Sequence, residues 1–174
     1  MKWVNHLAIA GATTAVINPA LVPVALLGST APDWLEWVYK ATTGREIKPR
    51  GSTHYVTHWI IGLLAALLLW DFHGILAAFC WGGLTHVLAD SMTVSGVPFS
   101  PWSDRRFHLF GGRLRPGAAG EYFVAWGIVG LCFLVAPAIQ GSSGWYPFFY
   151  NWPGLYEQGL VDGAEWKANR FRFF

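Results

Sequence analysis

A histidine and an aspartate, His86 and Asp90, lie four residues apart inside a long apolar stretch, residues 82–93. On an α-helix this spacing places the two side chains on one face, one turn apart. Imidazole and carboxylate groups are ligands of zinc and similar divalent ions, and an unpaired aspartate in apolar surroundings is costly. Taken alone, the pair has two interpretations: metal ligation, or a buried hydrogen bond that locks two helices together.

The composition favours a membrane protein. Of the 174 residues, 53% are hydrophobic and 13% are charged, whereas soluble domains carry about 25% charged residues. The formal net charge of +2 is too small to indicate nucleic-acid binding, and no basic run is interleaved with an aromatic motif of the RNA-binding type. Cys80 and Cys132 lie in apolar segments and indicate neither a disulfide framework nor a CxxC motif. This length predicts a single domain over residues 1–174.

The first two apolar segments can fold in two ways. Residues 3–17 predict a helix that ends at Asn18-Pro19, because proline has no N–H group to donate and disfavours helix in the residue before it. The second segment follows at once, so residues 4–28 are either one kinked membrane span or a helical hairpin. A span would place His6 and Asp33 on opposite sides of the membrane, whereas a hairpin would bring them together.

A second hairpin is predicted at residues 71–74, where polar residues and a glycine interrupt an apolar run. Each arm of this hairpin is at the low end of the roughly 20 apolar residues that cross a bilayer. Folding at this point would carry His54 and His58, themselves one helical turn apart, back beside His86 and Asp90.

The polar segments are expected outside the hydrocarbon. Residues 34–53 predict a loop or a surface helix, and the Gly-, Pro- and Arg-rich residues 94–120 predict a structured loop over the site. The clearest membrane helix covers residues 123–139, and the aromatic and basic residues 140–174 predict an interfacial tail. The expected fold class is therefore all-α: a membrane-embedded bundle of four or five helices.

Folded as two hairpins, the chain would bring seven ionisable side chains to one membrane face. Ionisable groups at membrane depth are costly and indicate a functional site. Most of the twelve lysines and arginines would lie on the same face, so the positive-inside rule predicts that the site faces the cytoplasm. The seven side chains are those of His6, Asp33, His54, His58, His86, Asp90 and Glu121.

Two stretches of the sequence resemble the bacterial YdjM-like family of inner-membrane, metal-dependent hydrolases. They are residues 50–54, Arg-Gly-Ser-Thr-His, and residues 83–98, which contain the His86 segment. The resemblance covers about residues 5–125. The family is grouped distantly with zinc-dependent phospholipase C and P1-type nucleases, which implies a helical fold and phosphoester hydrolysis. One position departs from the pattern, because Pro49 stands where such proteins commonly carry a histidine.

The mixed set of imidazoles and carboxylates suits one or two Zn²⁺ ions, with Mn²⁺ or Fe²⁺ as alternatives, and leaves room for a bound water as the nucleophile. His58 would replace the ligand missing at Pro49; otherwise the site binds fewer ions or is impaired. The predicted metal ligands are His6, Asp33, His54, His58, His86 and Asp90.

Two further roles are predicted around this metal site. Glu121 is a further ligand or the general base, with Asp90 as the other catalytic carboxylate, or Glu121 only complements the dipole of a helix N-terminus. Arg105 and Arg106 clamp a phosphate, or they lie beside lipid headgroups.

The expected function is hydrolysis of a phosphoester in a lipid or lipid-linked substrate, by a multi-pass protein of the bacterial inner membrane whose partner is the lipid bilayer. The alternatives are a non-catalytic membrane protein with a structural metal and a metal- or ion-handling protein. No repeat is visible in this short chain, which argues against a transporter.

Overall fold

A computed structural model describes residues 1–45, 50–68 and 74–141. Pro49, positions 71–73 of the predicted second turn and residues 142–174 of the predicted tail therefore lie outside the described residues. Within them the chain forms five α-helices and one β-hairpin, with short 3₁₀ turns in three connections. The elements are α1 (Trp3–Ile17), α2 (Val22–Thr43), α3 (Val56–Leu68), α4 (Ile75–Ser91), β1 (Val97–Ser100), β2 (Ser103–Phe107) and α5 (Ala119–Gly141).

Helices α1 and α2 form a hairpin and not a kinked span. Asn18 leaves the helical region, with φ −148° and ψ 100°, and its side chain accepts a hydrogen bond from the backbone N–H of Ala20. The chain reverses there. At the other end of the hairpin, the indole Nε1 of Trp3 donates to Oδ2 of Asp33 at 2.8 Å. The structure therefore selects the alternative that brings the His6 end of α1 to Asp33.

Helix α2 continues through Pro32 and ends at Thr43, so the first part of residues 34–53 is a helix, as one of the two alternatives predicted. A proline inside a helix removes one backbone hydrogen bond and crowds the carbonyl four residues earlier. Here that residue is Gly28, and the Pro32 side chain is fully buried. Gly44 ends the helix in the left-handed conformation, with φ 66°.

Helix α4 lies at the centre of the bundle and contacts α1, α2 and α3. Its backbone touches that of α2 at Gly82, where a Cβ atom would lie 2.1 Å from the carbonyl oxygen of Ala25. Only glycine permits this approach. The close packing of α2 on α4 brings Asp33 beside the end of α4 that carries His86 and Asp90. The main core contains Ala31, Val56, Trp59, Leu84, Val87 and Val97.

Helix α5 packs on α1 and leaves much of its surface uncovered. Ala125 is buried against Ile9, whereas Phe123 is 82% exposed. Among the described helices, α5 contains the one segment, Ala119–Ile139, that is long and apolar enough to cross a membrane. The membrane helix predicted at residues 123–139 is thus a helix in the structure. By contrast, α1, the described part of α3, and α4 have only 15, 13 and 17 residues.

The all-α prediction needs one correction, because the fold is mostly helical with a small two-stranded sheet. Strands β1 and β2 are antiparallel, with Val97 opposite Phe107 and Pro98 opposite Arg106. The β-hairpin could not be predicted from the sequence, because its strands have only four and five residues. One of them also contains proline, which is unusual inside strands.

Candidate metal centre

Five ligand-type side chains meet at one end of the bundle. They form two overlapping triads, His6/His86/Asp90 and Asp33/His54/His86, and in each triad the ligand atoms lie within 4.8 Å of one another. Four separate elements supply them: α1, α2, the 3₁₀ turn before α3, and α4.

The separations within the triads are close to the distance between two ligands of one tetrahedral ion. Nε2 of His6 lies 3.3 Å from Oδ1 of Asp90, and Nε2 of His54 lies 3.5 Å from Oδ1 of Asp33. Nε2 of His86 lies 3.7 Å from Oδ1 of Asp33 and 3.9 Å from Oδ2 of Asp90. Ligands about 2.1 Å from a tetrahedral zinc ion are about 3.4 Å apart.

Hydrogen bonds on the far side of two imidazoles orient them toward this common space. Nδ1 of His86 lies 2.6 Å from the carbonyl oxygen of Ser29, which can only accept, so Nδ1 carries the proton. Nδ1 of His54 forms a hydrogen bond with Oγ1 of Thr53 at 3.1 Å and lies 3.2 Å from Oε1 of Glu36. The Nε2 atoms of both histidines are buried and have no hydrogen-bond partner. A buried acceptor left unpaired is costly, and a cation would satisfy both lone pairs.

Burial and neighbouring charges keep the ligands in the protonation states that metals bind. Burial, reinforced by the adjacent His6, lowers the pKa of His86 to about 3. Burial alone would raise the pKa values of Asp33 and Asp90, but the nearby imidazoles of His54 and His6, respectively, hold both values below the usual range. At neutral pH the centre therefore offers a neutral imidazole and two carboxylates.

Arg50 contacts the centre although the sequence analysis gave it no role. Its Nε lies 2.9 Å from Oδ2 of Asp90, and its Nη1 donates to Oγ1 of Thr93 at 3.2 Å. The amino group of Met1 contacts Oδ1 of the same aspartate. The available signal was the position of Arg50 at the start of the Arg-Gly-Ser-Thr-His motif.

Glu36 is a second residue that the sequence analysis missed. Its Oε1 accepts from the backbone N–H of Arg50 at 3.1 Å and from Oγ1 of Thr53 at 3.2 Å, besides its contact with His54. The signal was its spacing from Asp33, because residues three apart on a helix share a face.

His58 lies outside both triads. Its exposed side chain is on the first turn of α3, where Nδ1 is 3.2 Å from the carbonyl oxygen of Ser52 and the ring packs edge-on against Tyr55. The structure therefore does not bring His58 to the other ligands. Although His54 is one turn earlier in sequence, it belongs to the preceding 3₁₀ turn, and this change in backbone direction separates the two rings.

Arg105 and Arg106 also lie away from the centre. Both are exposed on β2, and Nη1 of Arg106 is 3.5 Å from the carbonyl oxygen of Gly96. Within the described residues neither guanidinium contacts a triad residue, and the phosphate clamp stays a prediction.

Glu121 is fully buried but binds backbone and amide groups instead of joining a triad. Its carboxylate accepts from the backbone N–H of Lys2, from Nδ2 of Asn5 at 2.6 Å and from the backbone N–H of Gly117 at 2.5 Å. These bonds fasten the start of α1 to the start of α5. The position agrees with the alternative of a charge at a helix N-terminus and does not favour the predicted ligand or base.

The centre opens to the outside through Asp33, whose side chain is 33% exposed. A cleft of about 260 Å³ begins there and is lined by Trp3, Asp33, Trp34, Glu36 and Trp37. A small group could therefore approach the triads along tryptophan side chains.

Comparison with known proteins identifies the family. A family model described as YdjM inner membrane protein matches residues 1–150. The chain belongs to this family. The resemblance read from residues 50–54 and 83–98 is thus confirmed, and the YdjM description indicates an inner membrane protein. No curated protein and no solved structure matches the chain, so the distant likeness to phospholipase C and P1-type nucleases stays a prediction.

Proposed function

We propose that this YdjM protein is a metal-dependent hydrolase that cleaves a phosphoester in a lipid or lipid-linked substrate. The observation that supports it best is the pair of buried, unpartnered Nε2 atoms of His54 and His86 beside the carboxylate of Asp33. Imidazole and carboxylate ligands suit Zn²⁺, with Mn²⁺ or Fe²⁺ as alternatives.

The shared histidine favours one ion over two. Nε2 of His86 belongs to both triads, and a nitrogen with one lone pair binds one ion. His86 could bind a second ion only through Nδ1. It would then have to release the Nδ1 proton and lose the hydrogen bond that this N–H group donates to the carbonyl oxygen of Ser29. One ion held by His86, a second histidine and an aspartate accounts for the arrangement.

A divalent ion at this position would supply Lewis-acid activation of water near neutral pH. The protein contributes orientation and charge. The Ser29 carbonyl and Glu36 fix the rings of His86 and His54, respectively, and such outer partners typically tune metal affinity. Arg50, which already contacts the Asp90 carboxylate, replaces Arg105 and Arg106 as the guanidinium positioned to bind a phosphate.

Helix lengths and exposed apolar side chains support a site at the membrane surface. Helix α5 extends about 34 Å, which is enough to cross the hydrocarbon, whereas α1, the described part of α3, and α4 extend about 20–26 Å, short of the roughly 30 Å required. We propose that these shorter helices enter the bilayer as hairpins, with Ile61, Leu64 and Leu76, all exposed, facing lipid. The centre then lies at the bilayer surface, on the cytoplasmic side by the positive-inside rule.

The test combines metal analysis with activity. Detergent-purified wild-type protein should contain about one equivalent of transition metal and hydrolyse a member of a phosphodiester and phospholipid panel. His86→Ala and Asp90→Ala should lose both metal and activity, while His58→Ala, the matched control, should retain both. Wild-type protein that binds no metal after reconstitution would refute the proposal. Stoichiometric metal without activity on any substrate would instead favour a structural metal.

A further inference from the structure

The β-hairpin and the turn after it expose large aromatic side chains. Trp102 is 81% exposed and Phe110 is 79% exposed, and Phe99 of β1 is also exposed. Exposed tryptophan and phenylalanine are unfavourable in water but suit the boundary between lipid headgroups and hydrocarbon. The aromatic residues therefore indicate an apolar or interfacial contact surface.

The same segment is strongly cationic. Residues 94–118 contain four arginines and one acidic residue, Asp104. The guanidinium-bearing side chains of all four are exposed, so their charges are available to an anionic partner. The four are Arg105, Arg106, Arg113 and Arg115.

The base of the β-hairpin lies beside the start of α5. Thr93 forms a β-bridge with Leu114, and the backbone N–H of Gly117 donates to Glu121 in the first turn of α5. In the membrane arrangement proposed above, Ala119–Ile139 crosses the bilayer, so its first residue lies at a bilayer surface. The β-hairpin and the turn after it therefore begin and end within a few residues of the same bilayer surface.

We propose that residues 97–115, the hairpin segment, dock on the surface of an anionic bilayer. The exposed aromatic rings enter the headgroup boundary and the arginines bind lipid phosphates. A second copy of the chain is a poorer partner, because the arginines of two hairpin segments would repel each other. The proposal does not depend on the hydrolase activity, since the hairpin segment and the triads share no residue.

Hydrogen exchange measured by mass spectrometry tests the docking on the full chain in nanodiscs. One set of nanodiscs contains only phosphatidylcholine, and the other also contains phosphatidylglycerol. We expect amides of residues 101–110, which cover the tip, β2 and the start of the following turn, to exchange at least about five-fold more slowly with the anionic lipid. This factor is the contribution of one arginine near such a surface. High salt should remove this difference.

Charge variants supply the matched control. Arg105→Gln/Arg106→Gln should lose most of the protection conferred by the anionic lipid. Lys40→Gln/Arg45→Gln removes the same charge from the exposed end of α2 and its cap, and should keep that protection. Trp102→Ser should weaken protection in both kinds of nanodisc, because the aromatic contribution does not depend on lipid charge.

Three outcomes would overturn the docking proposal. They are equal exchange in the two lipids, equal losses in the two charge variants, and protection that follows protein concentration instead of lipid charge. The last outcome would assign the hairpin segment to self-association. None of these outcomes depends on metal content or hydrolysis, so a failure here is distinguishable from a failure of the hydrolase proposal.

Discussion

Replacing His86 by glutamine tests the metal centre at the one atom that both triads share. Nε2 of His86 contributes to each triad, while its ring is buried and stacked on that of His6 with centroids 3.8 Å apart. Glutamine keeps much of the side-chain volume but lacks the imidazole nitrogen. Each triad then keeps only two of its three ligand-type side chains. This holds whether the ion in the wild-type protein is bound with His6 or with His54 as the second histidine.

The expected loss of zinc affinity follows from the place of His86 in both triads. Losing only an outer partner of a metal ligand typically lowers affinity about 10- to 100-fold. Losing the ligand common to both triads should therefore weaken zinc binding by more than about 100-fold, or about 2.8 kcal/mol. His58→Gln removes an exposed imidazole outside both triads, so its affinity should stay within about two-fold of wild type.

Competition against a zinc chelator at pH 7 measures both affinities in detergent. Circular dichroism and gel filtration establish that each variant is folded. Nearly wild-type zinc affinity in folded His86→Gln would refute a ligand role for His86. The prediction also fails if His58→Gln loses as much affinity as His86→Gln.

Three further variants test other parts of the structure. Asp90→Asn should destabilise metal-free protein by about 3 kcal/mol at pH 7 by breaking buried ion pairs. Because the folded pKa of Asp90 is lowered, the stability advantage of wild type over the variant should persist above about pH 4 and shrink on further acidification. Denaturant unfolding in which this advantage grows as the pH falls would contradict the prediction. Glu121→Gln should cost about 1.5–3 kcal/mol by weakening its bonds to the start of α1; lost activity with unchanged thermal unfolding would instead support the predicted general base. Gly82→Ala would place Cβ 2.1 Å from the carbonyl oxygen of Ala25. This clash should lower the free energy of unfolding by about 1–3 kcal/mol and weaken metal binding, because α2 and α4 must separate. Gly127→Ala is the control: a Cβ there has nothing within 4 Å, so unfolding and metal titrations should be unchanged.

Features that depend on neighbouring residues could be predicted from the sequence. The four-residue spacing of His86 and Asp90 fixes a common helix face, and Asn18-Pro19 interrupts the first helix, because helical geometry and the proline ring act locally. Family membership also followed from local motifs. The sequence left open whether the chain reversed at Asn18-Pro19, because a kinked span and a hairpin use the same local break.

The tertiary structure decided which of the candidate side chains meet. His54 and His58 have the same spacing as His86 and Asp90, yet only His54 reaches the centre, because a 3₁₀ turn changes the chain direction between His54 and α3. The roles of Arg50 and Glu36 likewise depend on contacts between elements distant in sequence. Such contacts are set by how closely the helices pack, and spacing along one helix does not contain that information.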